Sequence, residues 1–163
     1  MGEPERDGDG RVEAIWIKRA KGGPMDPRGQ AVAVAGRGLL GNANQGGRRQ
    51  VTIIAREAWE AAEEALGARL DPALRRANVM VSGLDLRHTR GLDLEIGAVR
   101  LRIRGETRPC RLMDDSWPGL EAALGPDWRG GVFAEVVGGG TLRVGDAARL
   151  TVPDDAGAPD ASG

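Results

Sequence analysis

Seven residues of this chain leave almost no choice of local structure. In AVRLRIR, residues 98–104, Val99, Leu101 and Ile103 alternate with Arg100, Arg102 and Arg104. That strict period of two sorts into an apolar and a charged face only on an extended strand. A strand apolar on one face belongs to a sheet with one covered side, the habit of antiparallel sheets. The three arginines then form the solvated outer face, which gains a binding role only where it lines a cleft.

Other segments extend this pattern. VEAIWIK (12–18), QAVAVAG (30–36), QVTIIA (50–55) and NVMVSG (78–83) read as strands, rich in β-branched residues and bounded by turn formers. GVFAEVV, TLRV and AARLTV close the chain as three more, separated by glycine turns. REAWEAAEEALG, 56–67, is a helix. Ala58, Trp59, Ala62, Ala65 and Leu66 form its apolar stripe, and Gly67 stands at the C-cap. Asp71 and Pro72 open a short helical turn as N-cap and first residue. A second helix is expected over 117–124, with Pro118 in its first turn and Gly125 at its end. The glycine-dense GRGLLGNANQGGRR and the polar LDLRHTRGLDLEIG are expected as loops. About eight short strands without regular crossover helices predict a mostly β fold. Its form is a partly closed β-barrel of short, mainly antiparallel strands with two or three inserted helices.

The domain is expected over residues 11–152. Residues 1–10 and 153–163 are polar, rich in Gly, Pro and Asp, and read as disordered tails. No apolar run approaches the roughly 18 residues of a membrane helix, and no signal segment opens the chain. The single cysteine forms no internal disulfide. These features predict a cytoplasmic protein with no membrane partner. A net charge of −1 argues against nucleic acid held by bulk electrostatics. Of 23 basic residues only Lys18 and Lys21 are lysines. A Schiff base to pyridoxal phosphate would have to use one of them. Arginine forks suit phosphate and carboxylate, although codon bias also accounts for the excess in a chain rich in Ala and Gly.

Cys110 is the first candidate for chemistry. It follows Pro109, is flanked by Arg108 and Arg111, and lies just past the arginine-bearing strand. Cationic surroundings favour a thiolate, the form that attacks sulfur or binds metal; a small apolar core residue is the plain alternative. Arg75, Arg76 and Asn78 sit at a helix-to-strand junction, where guanidinium and amide suit an anion or heterocycle, or else a cap and turn. Arg48 and Arg49 end a glycine-rich loop able to wrap a phosphate, though the loop carries no nucleotide-binding fingerprint. His88, the only histidine, lies in a polar loop and is expected to be exposed. Trp117 and Trp128 stand beside loops as core lids or an aromatic wall.

In order along the chain, GLLGNANQGGRRQVTII, RRANVMVSGLDL, IG…VRLRI, RPC and GVFAEVVGGGTLRVGDAARL resemble the MOSC domain, named for the C-terminal domain of molybdenum-cofactor sulfurase. The likeness spans residues 12–152. Its most specific parts are Arg76-x-Asn78 followed by Ser-Gly-x-Asp, the Pro109–Cys110 pair and the closing Gly-Gly…Gly-Asp run.

The resemblance implies a β-barrel-like fold that binds the molybdenum cofactor, molybdopterin. By its motifs, Cys110 would be a persulfide-type sulfur carrier or a molybdenum ligand. Arg76 and Asn78 would hold the pterin or its phosphate. Arg48, Arg49 and Arg108 join them on charge and position only. Pyridoxal phosphate enters at the level of the family alone.

Asn42 and Asn44 depart from the Asp and His common in the family's glycine-rich loop, and Arg108 from its usual small or polar residue. The chain shows no desulfurase or ferredoxin segment, so the expected partners are a separate sulfur donor, such as a cysteine desulfurase, and a separate electron-transfer protein. Three functions follow: a cofactor-binding sulfur carrier, a molybdenum-dependent reductase of N-hydroxylated compounds, and a non-catalytic binding module with an inert Cys110.

Overall fold

The computed structural model describes residues 9–153, so most of both expected tails lies outside the described residues. Within them β1 (Asp9–Lys18) begins two residues ahead of the expected domain start. Then come β2 (Met25–Arg28), β3 (Gln30–Val34), β4 (Gly38–Leu39) and β5 (Val51–Ala55). Helix α1 (Arg56–Leu66) and a 3-10 turn (Pro72–Arg75) lead to β6 (Val79–Ser82), β7 (Asp93–Ile96) and β8 (Val99–Glu106). Helices α2 (Leu112–Ser116) and α3 (Leu120–Leu124) and a second 3-10 turn (Pro126–Trp128) precede β9 (Val132–Gly138), β10 (Gly140–Arg143) and β11 (Ala147–Thr151).

Seven strands close into a barrel in the order β1–β11–β7–β8–β9–β5–β6, with β6 returning to β1. All pairs are antiparallel except β5–β6, whose parallel pairing is made possible by the crossover through α1. One edge of β1 is divided: residues 9–11 pair with β11 and 15–18 with β2, which hangs outside the barrel. Strands β10, β3 and β4 form a separate three-stranded sheet. Closure removes the exposed edges that would otherwise template aggregation.

The period-two reading of β8 holds for its whole length, with buried residues alternating with half-buried ones. Val99, Leu101 and Ile103 are fully buried in the barrel with Leu94, Val132 and Ala134. Outside, the arginine stripe meets carboxylates on neighbouring strands. Arg102 donates to Asp93 at 2.8 Å and Arg100 lies 3.5 Å from the same carboxylate. Arg104 reaches Glu135 at 3.0 Å. Asp93 is completely buried beneath its two guanidiniums. The outer-face reading therefore stands, as a cross-strand ion ladder.

Helix α1 runs as expected, and Gly67 takes the left-handed C-cap conformation at φ 66°. Asp71 caps the 3-10 turn by accepting from the Ala73 amide. Trp59, Ala62, Leu70, Met113, Leu120 and Leu124 make a small second core between the helices. The helix expected over 117–124 is confined to α3, and the preceding α2 was not anticipated. Trp117 is extended and Gly119 has φ 88°, which breaks the chain between α2 and α3. Three strands went unread: β2 contains Pro27, β4 is two residues long, and β7 is four residues inside a polar stretch.

Candidate functional site

Two neighbouring regions on the outside of the barrel hold the predicted residues. The first is a corner where β1, β5, β6 and the glycine-rich loop meet. Asn78, just ahead of β6, is buried, and its amide bonds in every direction. Its Nδ2 donates to the Trp16 carbonyl at 3.1 Å and to Asn42 Oδ1 at 3.2 Å. Its Oδ1 accepts from the Thr52 amide at 3.1 Å. Asn42, also buried, accepts the Lys18 amide at 2.9 Å. The Asn78 side chain is thus taken up within the protein, and Asn42 serves the same joint as a neutral amide.

Over this corner stands cationic charge. Arg76 caps the 3-10 turn in the left-handed region at φ 63°, an uncommon conformation for a side-chain-bearing residue. Its guanidinium donates to the Gly23 carbonyl. Burial, then the charges of Arg76 and Lys21, lower the Lys18 pKa from its ordinary 10.5. Among the described residues no carboxylate pairs with Lys18, Lys21 or Arg76. Such a patch suits a phosphate.

The second region is the Cys110 loop, running from the end of β8 into α2. The Thr107 amide donates to the Gly131 carbonyl at 2.8 Å, and the Met113 amide to the Cys110 carbonyl at 2.9 Å. Cys110 is exposed. Thr107 Oγ1 is buried without a hydrogen-bond partner. The loop packs on Gly130, where a Cβ would fall 2.5 Å from the Thr107 oxygen and 3.2 Å from Pro109 Cδ. Only glycine fits there.

Of the predicted arginines, Arg49 stacks over the Phe133 ring at 4.6 Å, and its charge is felt by Arg75. Arg48 is exposed and makes no side-chain hydrogen bond or ion pair among the described residues. The Arg108 side chain is 85% exposed and 3.9 Å from Glu106, a weak surface pair. His88 is exposed, as expected, and stands 5.2 Å from the Trp128 ring. A cleft of about 550 Å³ adjoins the loop, lined by Arg108, Pro109, Asp114, Glu121 and Trp128. The structure thus brings Arg75 to the Cys110 loop, with Arg49 within electrostatic reach of Arg75, and sets Arg76 with the lysines at the corner. Arg75, passed over for its neighbour at the sequence level, is the buried member of the pair.

The described residues thus form a small mixed barrel with a cluster of cationic side chains at one corner and one exposed thiol on a loop. The chain belongs to the MOSC domain family, whose model matches residues 28–149, and that family is associated with molybdenum-cofactor binding. The fold is similar to that of the YuaD protein from Bacillus subtilis: TM-score 0.75 and 21% identity over 90% of this chain and 97% of that one. It is also similar to YiiM from Geobacillus stearothermophilus (0.68, 18%, covering 91% and 77%) and from Escherichia coli (0.65, 15%, covering 88% and 70%). No curated protein matches the chain in sequence. No helix among the described residues is long and apolar enough to cross a membrane.

The donor set fits such a cofactor. Among the described residues no group of three or more His, Cys, Asp or Glu could hold a bare ion. A single soft thiolate can still complete the sphere of a metal that arrives with its own ligands.

Proposed function

We propose that this MOSC domain binds the molybdenum cofactor and that Cys110 serves it as a sulfur carrier. The observation that supports this reading is the exposure of the only cysteine on a loop beside a cationic corner. A carrier presents one sulfur first to a donor and then to an acceptor, so it has to stand at the surface. The Cys110 thiolate attacks the terminal sulfur of a persulfide on a separate cysteine desulfurase. The donor's S–S bond breaks, a new one forms at Cys110, and the donor departs as a thiolate.

Arg76, Lys18 and Lys21 would hold the cofactor's phosphate, while Asn78 and Asn42 keep their corner rigid beneath it. Arg48, Arg49 and Arg108 add positive potential along the approach. When bound, the cofactor supplies a redox-active molybdenum ion. A second reading makes Cys110 a ligand to that metal in a reductase of N-hydroxylated compounds, served by a separate electron-transfer protein. The cleft beside Pro109, lined by Glu106, Asp114, Glu121 and Asp127, favours it as a seat for a basic small molecule.

The test is intact-mass spectrometry after incubation with a cysteine desulfurase and cysteine, without reductant. The expected product is one added sulfur atom on the wild type and none on Cys110→Ala. Equal sulfur uptake by the variant overturns the carrier role. Molybdenum content that is lost with Cys110, without any sulfur adduct on the wild type, moves the assignment to the ligand reading.

A further inference from the structure

We propose that Arg75 is the positioning residue of the Cys110 loop, holding both its ends and presenting a fixed positive charge to the sulfur between them. This deepens, and rests on, the reading of Cys110 as the sulfur carrier.

The geometry is that of a peg. Arg75 donates from one terminal nitrogen to the Thr107 carbonyl at 3.0 Å and from the other to Met113 Sδ at 3.9 Å. Residues 107 and 113 bound the loop, and Cys110 lies midway between them. The Met113 amide closes the same turn onto the Cys110 carbonyl. From its Nε, Arg75 donates to the Gly130 carbonyl at 2.9 Å, which ties the loop to the start of β9. Gly130 leaves the room for this, since a Cβ there would lie 3.4 Å from an Arg75 terminal nitrogen. One side chain therefore joins three segments far apart in sequence.

Its charge calls for a separate explanation. Arg75 is only 8% exposed, yet among the described residues no carboxylate pairs with it. A buried cation without a counter-ion is costly, and carbonyl acceptors solvate it without neutralising it. The group that offsets this cost is Cys110, on the loop whose two ends Arg75 holds. Burial lowers the Arg75 pKa, the negative form of Cys110 opposes that lowering, and Arg49 adds to it. Arginine suits the task because it stays charged when buried and its fork reaches several acceptors at once.

Sulfur transfer needs such a charge twice: Sγ is anionic as the attacking thiolate and again as the leaving group when sulfur is passed on. A cation already oriented before the reaction stabilises both without reorganising. Arg108 and Arg111 flank Cys110 in sequence but are exposed, where salt screens them.

The experiment uses the full chain as wild type, Arg75→Gln and Arg75→Lys. Two rates are read: alkylation of Cys110 by iodoacetamide, and cyanolysis of a persulfide loaded on Cys110. In cyanolysis the S–S bond breaks, cyanide leaves as thiocyanate, and the bonding electron pair returns to Sγ. Arg75→Gln is expected to slow both on the order of tenfold, and Arg75→Lys to recover only part of the loss, since an ammonium can restore a charge but not the three-way fork. Wild-type alkylation is expected to change little between low and high salt, because the responsible charge is buried. An Arg75→Gln protein that reacts at the wild-type rate overturns the proposal, and so does an Arg75→Lys protein as slow as Arg75→Gln. A wild-type rate that collapses in salt also overturns it, in favour of Arg108 and Arg111, and that arm decides the matter even where the variants fail to fold. Absence of any persulfide on the wild type defeats the carrier reading instead, while the alkylation rates still decide Arg75.

Discussion

The corner around Asn78 and the loop around Cys110, joined through the consecutive Arg75 and Arg76, solve opposite problems. Beneath its cationic rim, the corner's amide network is neutral and closed. Asn78 and Asn42 are buried amides whose partners are each other, a hydroxyl-bearing strand residue and backbone. The loop is open and charged, with an exposed thiol and one buried guanidinium as its anchor. Arg75 and Arg76 are consecutive, yet one goes to the loop and the other to the corner. The left-handed backbone of Arg76 accompanies that divergence. The corner rests on a satisfied amide network, whereas the loop rests on a buried cation. The lesson is that a charged surface can be kept stiff by satisfied polar groups buried beneath it.

The contrast is open to direct attack. The largest effect is expected from Asn78→Ala, which leaves Asn42 and backbone groups unsatisfied in the interior. It should cost about 2–4 kcal/mol in urea unfolding, because several buried bonds fail together. Cys110 alkylation should stay near the wild-type rate. A loss well under 1 kcal/mol would show that the corner is not the rigid element.

Gly130→Ala comes next. Its Cβ would press on the Thr107 oxygen, so a destabilisation of about 1–3 kcal/mol is expected from overpacking. Unlike the first variant, it should also change the alkylation rate of Cys110, since the loop has to move. An unchanged rate would uncouple Gly130 from the thiol.

Arg76→Gln should barely alter stability, because the side chain is exposed and makes one bond, to Gly23. It should weaken binding of a phosphate-bearing pterin about tenfold, the worth of one charge-assisted hydrogen bond. Titration of the cofactor against both proteins reads this, and equal affinities would remove Arg76 from the site.

Lys18 offers the smallest and most specific effect. Its pKa is lowered in the folded state by burial, then by Arg76 and Lys21. In the alkaline window between the folded and unfolded values the unfolded chain binds more protons. The cost of charging Lys18 is therefore present below the folded pKa and disappears as pH rises through it. Lys18→Met should flatten that alkaline rise in unfolding free energy. A slope identical to that of the wild type would show the corner's charges to be independent.

Much of this was legible in the chain. The alternation of β8 identified a strand, its buried face and the outward arginines, because a period of two has one geometric meaning. Helix α1 was legible through its stripe and Gly67. The strand β7 was not, since DLEI is too short to show a period, and with it went Asp93, the acid that pairs with Arg100 and Arg102. The interruption between α2 and α3 was also hidden, because Gly119 takes its left-handed turn only in packed context, against Leu66. At the site, the motifs singled out Cys110, Arg76 and Asn78. They did not reveal that Asn78 spends its amide inside the protein.

Local order alone determined where most strands lie, which faces they bury, and that one cysteine stands among arginines. Periodicity and turn chemistry act between near neighbours, so they are written in a single stretch of residues. Which arginine reaches the Cys110 loop was decided only in three dimensions. Arg75 finds its acceptors at Thr107 and Gly130, 32 and 55 residues away. Those carbonyls become available to it only when the closing barrel brings β8, β9 and the turn before β6 to one end.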